Sequence, residues 1–220
     1  MGDLLLVYSI SVFGLLFLIA NTLLFATNRE IKKKVSNVFI WYLILLSVIE
    51  VCCHIIGVLK PNSNFFISHF YFGFQFIVLS ILYYNLIENK LFRKMNIFIL
   101  VLQTTYLLVT YLTNNDLFWV FNTYEIVSTS IILIAYSLYF IFLNLELKHK
   151  YFNFSIGLIL YLSCSIAIFL SGNLELVLWE KPYIDIWIFN SLFYIIFQCF
   201  VFREYLYFRN KNTETITLNK

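Results

Sequence analysis

The sequence predicts an all-α, polytopic membrane protein with seven transmembrane helices. The first observation is its composition: 61% of the 220 residues are hydrophobic and only 12% are charged, whereas about a quarter of residues carry charge in a soluble domain. The second is a series of seven long apolar stretches. The third is the alternation of basic clusters between successive stretches, which gives the chain a direction across the bilayer.

Each apolar stretch is long enough to cross a hydrocarbon core of about 30 Å, which takes about 20 helical residues. The predicted spans are Leu4–Phe25, Val38–Leu59, Phe65–Leu86, Asn96–Thr113, Thr123–Leu143, Phe152–Ser171 and Ile184–Tyr205. Residues 1–205 are therefore predicted to form a seven-helix bundle, and residues 206–220 a short polar cytoplasmic tail. The remaining pieces are too short for a separate soluble domain.

The basic residues predict the orientation, because short loops rich in Lys and Arg stay in the cytoplasm. Basic clusters follow the first, third, fifth and seventh spans, and of the 15 Lys and Arg residues only Lys60 and Lys181 fall on the other side. Merging or splitting one span would put the later clusters on the wrong side. We therefore expect the N-terminus outside, the C-terminus in the cytoplasm, and a multi-pass protein of the cytoplasmic membrane of a bacterium.

Several polar residues within the spans are candidates for a functional site. Charged or strongly polar side chains cost about 2.5–3.5 kcal/mol at the centre of a membrane helix, so they normally face the interior of the bundle. The following six are predicted to line a polar cavity open to the outside: Glu50, His54, His69, Gln75, Glu125 and Asn190. They are candidates for ligand binding or coupling.

A purely structural interpretation of these residues stays open. Hydrogen bonds between membrane helices contribute roughly 0.6–2 kcal/mol each and could be the whole role of the set. Glu50 favours a functional role beyond packing, because a carboxyl group inside a membrane is a functional hypothesis by default. His54 follows it by four residues, which places both on one helix face as a pair that could carry a proton.

Two known chemistries are excluded by residue count. Seven-helix zinc hydrolases need three membrane histidines, and this chain has only His54 and His69 within its spans. A retinal protein needs a lysine in its last span, and Ile184–Tyr205 contains none. No metal and no cofactor are therefore predicted, and no nucleophile and base motif marks an enzyme. The formal charge of +3 is too small to indicate a nucleic-acid partner.

Three aromatic segments carry a resemblance. They are His69-Phe-Tyr-Phe-Gly-Phe-Gln-Phe with the later Leu-Tyr-Tyr-Asn85, Phe152–Tyr161 at the start of the sixth span, and Ile186–Asn190 at the start of the seventh. In these the chain resembles a loosely defined set of small bacterial seven-helix membrane proteins. They are similar to the membrane-sensing part of bacterial seven-helix receptors, without an attached output domain. The resemblance implies no catalytic residue.

The leading functional hypothesis is a receptor-like or sensory bundle with an outward-facing polar site. Its partners would be the lipid bilayer, a small-molecule ligand and a separate cytoplasmic signalling protein that receives a helix rearrangement. A small-molecule or proton-linked transporter that uses Glu50 and His54 is the first alternative. An intramembrane lipid-modifying enzyme is the second, and a structural subunit of a larger complex also stays open.

Overall fold

The computed structural model describes the backbone of residues 2–60, 65–145, 149–178 and 187–217, with side chains within 8–60, 65–145, 149–171 and 188–210. These residues are all helical apart from short connections. The elements are α1 (Gly2–Thr27), α2 (Arg29–Lys32), α3 (Asn37–Leu59), α4 (Ile67–Leu86), α5 (Lys90–Thr113), a short 3-10 helix (Asn115–Trp119), α6 (Thr123–Leu143), α7 (Phe152–Leu178) and α8 (Trp187–Thr217).

Within the described residues, six helical segments are long and apolar enough to cross a membrane. They are Tyr8–Thr27, Asn37–Leu59, Ile67–Leu86, Lys90–Thr113, Thr123–Leu143 and Phe152–Ser171. They correspond to the first six spans predicted from the sequence, and they indicate a multi-pass membrane protein in contact with the lipid bilayer. Helix α8 covers most of the predicted seventh span and continues past Tyr205 to Thr217. Residues 184–186 and 218–220 of the predicted span and tail lie outside the described residues.

Helix α5 begins six residues before the predicted span Asn96–Thr113, and its first turn explains the difference. The side-chain oxygen of Asn89 accepts hydrogen bonds from the backbone N–H groups of Leu91 and Phe92, at 2.9 and 3.2 Å. Such a cap stabilises a helix start by satisfying orphan donors. The helix therefore begins at Lys90, in a basic turn that hydropathy assigns to the loop.

Six of the long helices form a closed ring in which each contacts the next: α1, α3, α4, α6, α7, α8 and again α1. Helix α5 lies outside this ring against α4, with a hydrogen bond from Gln103 to Ser128 of α6. The bundle has two ends. We call the end where α3, α5 and α7 finish the Glu50 end, and the opposite end the Glu204 end.

The distribution of side chains is that of a bundle embedded in lipid. Large apolar side chains such as Phe13, Phe98 and Leu112 are exposed on its outside. Polar residues point inward, where Asn21 binds Gln198 on α8 and Thr22 binds Ser47 on α3. A soluble domain would expose its polar groups and bury its apolar ones. Here, polar contacts join helices whose outer faces are apolar, as expected in a bilayer.

Candidate functional site at the Glu50 end

A cavity of about 190 Å³ opens inside the ring at the Glu50 end. Glu50 of α3 and Asn190 of α8 both line it, and Ser68 of α4 contributes a hydroxyl group. The rest of its described lining is mainly aromatic and aliphatic: Ile49, Cys53, Ile67, Tyr71, Phe72, Phe121, Tyr161 and Phe169. An apolar cavity with a few convergent polar groups is the usual form of a small-molecule site.

Tyrosines from neighbouring helices lie close to Glu50. The hydroxyl groups of Tyr71 on α4 and Tyr161 on α7 are 3.0 Å apart and form a hydrogen bond. The ring of Tyr161 also packs edge-on against Tyr194 of α8, with ring centres 5.5 Å apart. These contacts fix the walls of the cavity, because each tyrosine is held by a side chain from another helix.

His54 lies beside Glu50, but its ring is bound elsewhere. Its Nδ1 donates a hydrogen bond of 2.9 Å to the backbone carbonyl of Glu50 and lies 3.8 Å from the Glu50 carboxylate. Its Nε2 lies 3.0 Å from the hydroxyl of Ser11 on α1. His54 therefore joins α3 to α1, and its contact with the carboxylate is longer than a hydrogen bond.

His69 and Glu125 form a second polar cluster at the same end, between α4 and α6. The Nδ1 of His69 lies 2.5 Å from Oε2 of Glu125. The hydroxyl of Tyr111 on α5 donates to the same carboxylate oxygen and accepts a hydrogen bond of 3.1 Å from the side chain of Asn122. Because Asn122 also caps the start of α6 by accepting from the N–H of Glu125, the cluster ties three helices together.

Gln75 lies apart from both groups. Its side-chain amide donates a hydrogen bond of 3.1 Å to the hydroxyl of Tyr42, which joins α4 to α3. The six predicted site residues thus fall into three sets. Glu50 and Asn190 share the cavity with His54 nearby, His69 and Glu125 bind each other, and Gln75 belongs to a helix contact. Whether any of the six binds a ligand stays a prediction.

The sequence did not single out the residues that complete these sets. Tyr71 and Tyr161 are two of 16 tyrosines, and Tyr111 and Asn122 are equally inconspicuous in the sequence. Only the Asn122-x-x-Glu125 spacing, which is typical of a capped helix start, carried a signal. The pairing of these residues across helices depends on the rotation of each helix, which the sequence pattern does not specify.

Glu204 is a further buried carboxyl group that the sequence did not mark, at the opposite end of the bundle. Its two oxygens accept hydrogen bonds from the backbone N–H groups of Tyr151 and Phe154, at 2.6 and 3.3 Å. A carboxylate at a helix N-terminus satisfies orphan donors and complements the helix dipole. Glu204 therefore fastens α8 to the start of α7. In the sequence, Glu204 lies next to Arg203 at the end of a predicted span, where it looks like an ordinary charged residue at the membrane boundary.

Tyr151 extends this junction to α3. Its backbone has a φ of 67°, a conformation uncommon for a residue with a side chain, and its hydroxyl accepts a 2.7 Å hydrogen bond from the backbone N–H of Ser36, which caps α3. Burial raises the pKa of the Tyr151 hydroxyl above its usual range. The ring is therefore a neutral, buried link among α3, α7 and α8.

Metal ligation has little support in the described part of the chain. No group of three or more His, Cys, Asp or Glu residues comes together there, and each cluster at the Glu50 end combines one histidine with one carboxyl group. Stable zinc sites in proteins normally use three or four protein ligands. Neither cluster has that number among the described residues.

Comparison with protein-family models, curated proteins and solved structures finds no match. The resemblance to small bacterial seven-helix proteins therefore stays a prediction. A functional argument for this chain has to be made from its own residues and their geometry.

Proposed function

We propose that the protein is a receptor-like sensor of the cytoplasmic membrane, which binds a small molecule in the Glu50 cavity and signals through a separate cytoplasmic protein. In this proposal the chain spans the membrane seven times, with its N-terminus outside and the Glu50 end facing outward. The single observation that carries the proposal is the cavity of about 190 Å³, lined by an intramembrane carboxyl group.

The seventh span is supported by the position of α8. This helix closes the ring by contacting both α7 and α1. Its buried residues include Phe197, Gln198 and Val201, so its inner face belongs to the core of the bundle. The placement of basic residues supports the orientation, because all of them except Lys60 and Lys181 would then lie in the cytoplasm.

A signal would have a direct mechanical route from the cavity to the other end. Helices α3 and α8 contribute Glu50 and Asn190 to the cavity. At the opposite end the start of α7 bridges the same two helices, because Tyr151 contacts the cap of α3 and Glu204 of α8 binds the backbone of Tyr151. A ligand that changes the spacing of α3 and α8 at the cavity would alter this junction.

The middle of the bundle favours a sensor over a channel for the ligand. Below the cavity, the core is filled by buried apolar side chains such as Phe76, Leu133 and Phe197. The hydroxyl of Tyr83 lies within hydrogen-bond distance of Ser137 on α6 and Ser155 on α7, at 2.7 and 3.0 Å. The contacts of Tyr83 join three helices near the Glu204 end, and the apolar residues fill the core between them and the cavity. A ligand is therefore expected to enter and leave on one side.

The test is ligand-dependent stabilisation of the purified protein across a library of cell metabolites, repeated with Ser68→Phe. The new ring would fill part of the cavity, so a true ligand should raise the melting temperature of the wild type and not of this variant. Ser163→Phe, on the exposed outer face of α7, is the matched control and should keep the response. The proposal would be contradicted if no library compound stabilised the wild type or Ser68→Phe, and if cells carrying Ser68→Phe also had the wild-type phenotype.

Proton-linked transport is the second candidate, favoured by the 3.8 Å separation of the Glu50 carboxylate and His54. Uptake by proteoliposomes with and without a pH gradient separates the two functions. Flux that depends on the gradient and is abolished by Glu50→Gln would favour the carrier. Ligand binding without flux would favour the sensor.

A further inference from the structure

We propose that the Glu50 cavity binds a small organic cation, specifically a primary ammonium carried on a compact apolar group. This inference deepens the proposed function and rests on it, since it names the ligand class of the same cavity. Three features of the cavity support it: its aromatic walls, its polar groups and its size.

The aromatic walls suit a cation. Five rings from α4, α7 and the segment before α6 line the cavity: Tyr71, Phe72, Phe121, Tyr161 and Phe169. Phe169 packs edge-on against both Phe72 and Phe121, with ring centres 5.5 and 5.6 Å apart. Ring faces attract ammonium groups, and this attraction is stronger where water is excluded. An anion would meet the same faces unfavourably.

The polar groups supply the matching charge and hydrogen bonds. Among the described lining residues, Glu50 is the only acidic one and none is basic. Its side chain keeps 19% of its surface exposed. A carboxylate in apolar surroundings is costly unless a cation or hydrogen-bond donors reach it. The side-chain oxygen of Asn190 is buried and has no hydrogen-bond partner among the described residues. A primary ammonium has three N–H donors and could satisfy both, whereas a quaternary ammonium has none.

The volume limits the apolar part of the ligand. A dry protein cavity of about 150 Å³ is large enough for benzene, and this one has about 190 Å³. A benzene-sized group with one short ammonium arm therefore fits. Typical drug-sized ligands use about 300–1,000 Å³, so they are too large.

The neighbouring Glu125 shows why the cavity alone is assigned this role. Its carboxylate already binds His69 and Tyr111, and its side chain keeps only 3% of its surface exposed. A cation arriving there would have to displace bonds that already exist. Glu125 is consequently the matched control for Glu50: the same residue type, at the same end of the bundle, and not on the cavity.

The experiment uses the full chain in lipid nanodiscs and three probes of nearly equal shape: benzylamine, benzyl alcohol and benzoate. Melting temperature and calorimetric titration should show binding of benzylamine and no comparable binding of the other two. Glu50→Gln should weaken the binding of benzylamine by about tenfold or more, which is the loss expected when a hydrogen bond to a charged group is removed. Phe169→Leu should weaken it by a few fold, through loss of one ring face. Glu125→Gln should leave the response to benzylamine in place.

The outcomes separate this inference from the proposed function. Equal binding of benzylamine and benzyl alcohol, or binding unchanged in both Glu50→Gln and Phe169→Leu, would overturn the organic-cation assignment. If a neutral or anionic metabolite then binds and Ser68→Phe abolishes that binding, the sensor proposal stands without it. If benzylamine binds as expected but cells with Glu50→Gln respond normally, the ligand class stands and the sensory role fails.

Discussion

Glu50 and Glu125 are the same residue at the same end of the bundle, and their surroundings give them different roles. Glu125 binds a histidine and a tyrosine from two other helices, and 3% of its side-chain surface is exposed. Glu50 borders a cavity, has its neighbouring histidine 3.8 Å away, and keeps 19% exposed. A buried charge alone therefore does not mark a binding site. A carboxyl group that is already paired holds helices together, and one that faces empty space can bind a ligand.

The largest expected difference is in stability. Glu125→Gln should lower the free energy of unfolding by about 3 kcal/mol, because a neutral amide oxygen is a weaker acceptor than the buried carboxylate oxygen that His69 and Tyr111 share. Glu50→Gln should change it by less than about 1 kcal/mol, since no short side-chain contact is lost. Reversible unfolding of both variants in mixed micelles measures the two values. Equal losses would remove the distinction between the two glutamates.

A pair of double-mutant cycles sharpens the same comparison. The coupling free energy between His69 and Glu125 should reach about 2 kcal/mol, at a separation of 2.5 Å. The coupling between His54 and Glu50 should stay below about 0.5 kcal/mol, at 3.8 Å. Histidine to glutamine and glutamate to glutamine changes keep the shapes similar. A stronger coupling at Glu50 would favour the proton-relay interpretation of that pair.

The hydroxyl of Tyr111 should make a smaller contribution to stability than the carboxyl group of Glu125. Tyr111→Phe should cost about 1–1.5 kcal/mol, because the carboxylate of Glu125 loses one donor and Asn122 loses its acceptor. Tyr106→Phe is the control five residues earlier on α5, where the ring is 48% exposed, and it should change stability by less than about 0.5 kcal/mol. Similar effects of the two changes would mean that the cluster is not the contact that holds α5.

The smallest effect is expected at Gln75, which the sequence assigned to the same site as Glu50. Gln75→Leu removes one hydrogen bond to Tyr42, so it should cost about 0.6 kcal/mol, the average for such contacts in membrane helices. It should leave ligand-induced stabilisation unchanged. A loss of ligand response in this variant would join Gln75 to the functional site after all.

The helices could be predicted from the sequence with good accuracy. The fifth predicted span and helix α6 have the same bounds, Thr123–Leu143, and the second predicted span differs from α3 by one residue. Hydropathy defines such segments because each one has to fill the same thickness of hydrocarbon. Hydropathy missed the first turn of α5, because that turn is stabilised by the Asn89 cap and is basic rather than apolar.

The candidate site could be predicted only as a set of residue types. Burial cost identifies Glu50, His69 and Glu125 one at a time, but it does not say which of them meet. His69 and Glu125 are 56 residues apart, and their contact depends on how α4 and α6 are rotated about their axes. The aromatic walls of the cavity gave no signal, since 20% of the chain is aromatic.

The most direct test of the central claim is the chemical accessibility of position 68. Ser68→Cys, in a chain whose four native cysteines are replaced, would be treated in intact cells with membrane-impermeant methanethiosulfonates of either charge. We expect modification from outside, with the cationic reagent reacting about tenfold faster than the anionic one, and Glu50→Gln should reduce that preference. Modification only after the cells are permeabilised would contradict an outward-facing cavity, and equal rates for the two charges would contradict the role assigned to Glu50.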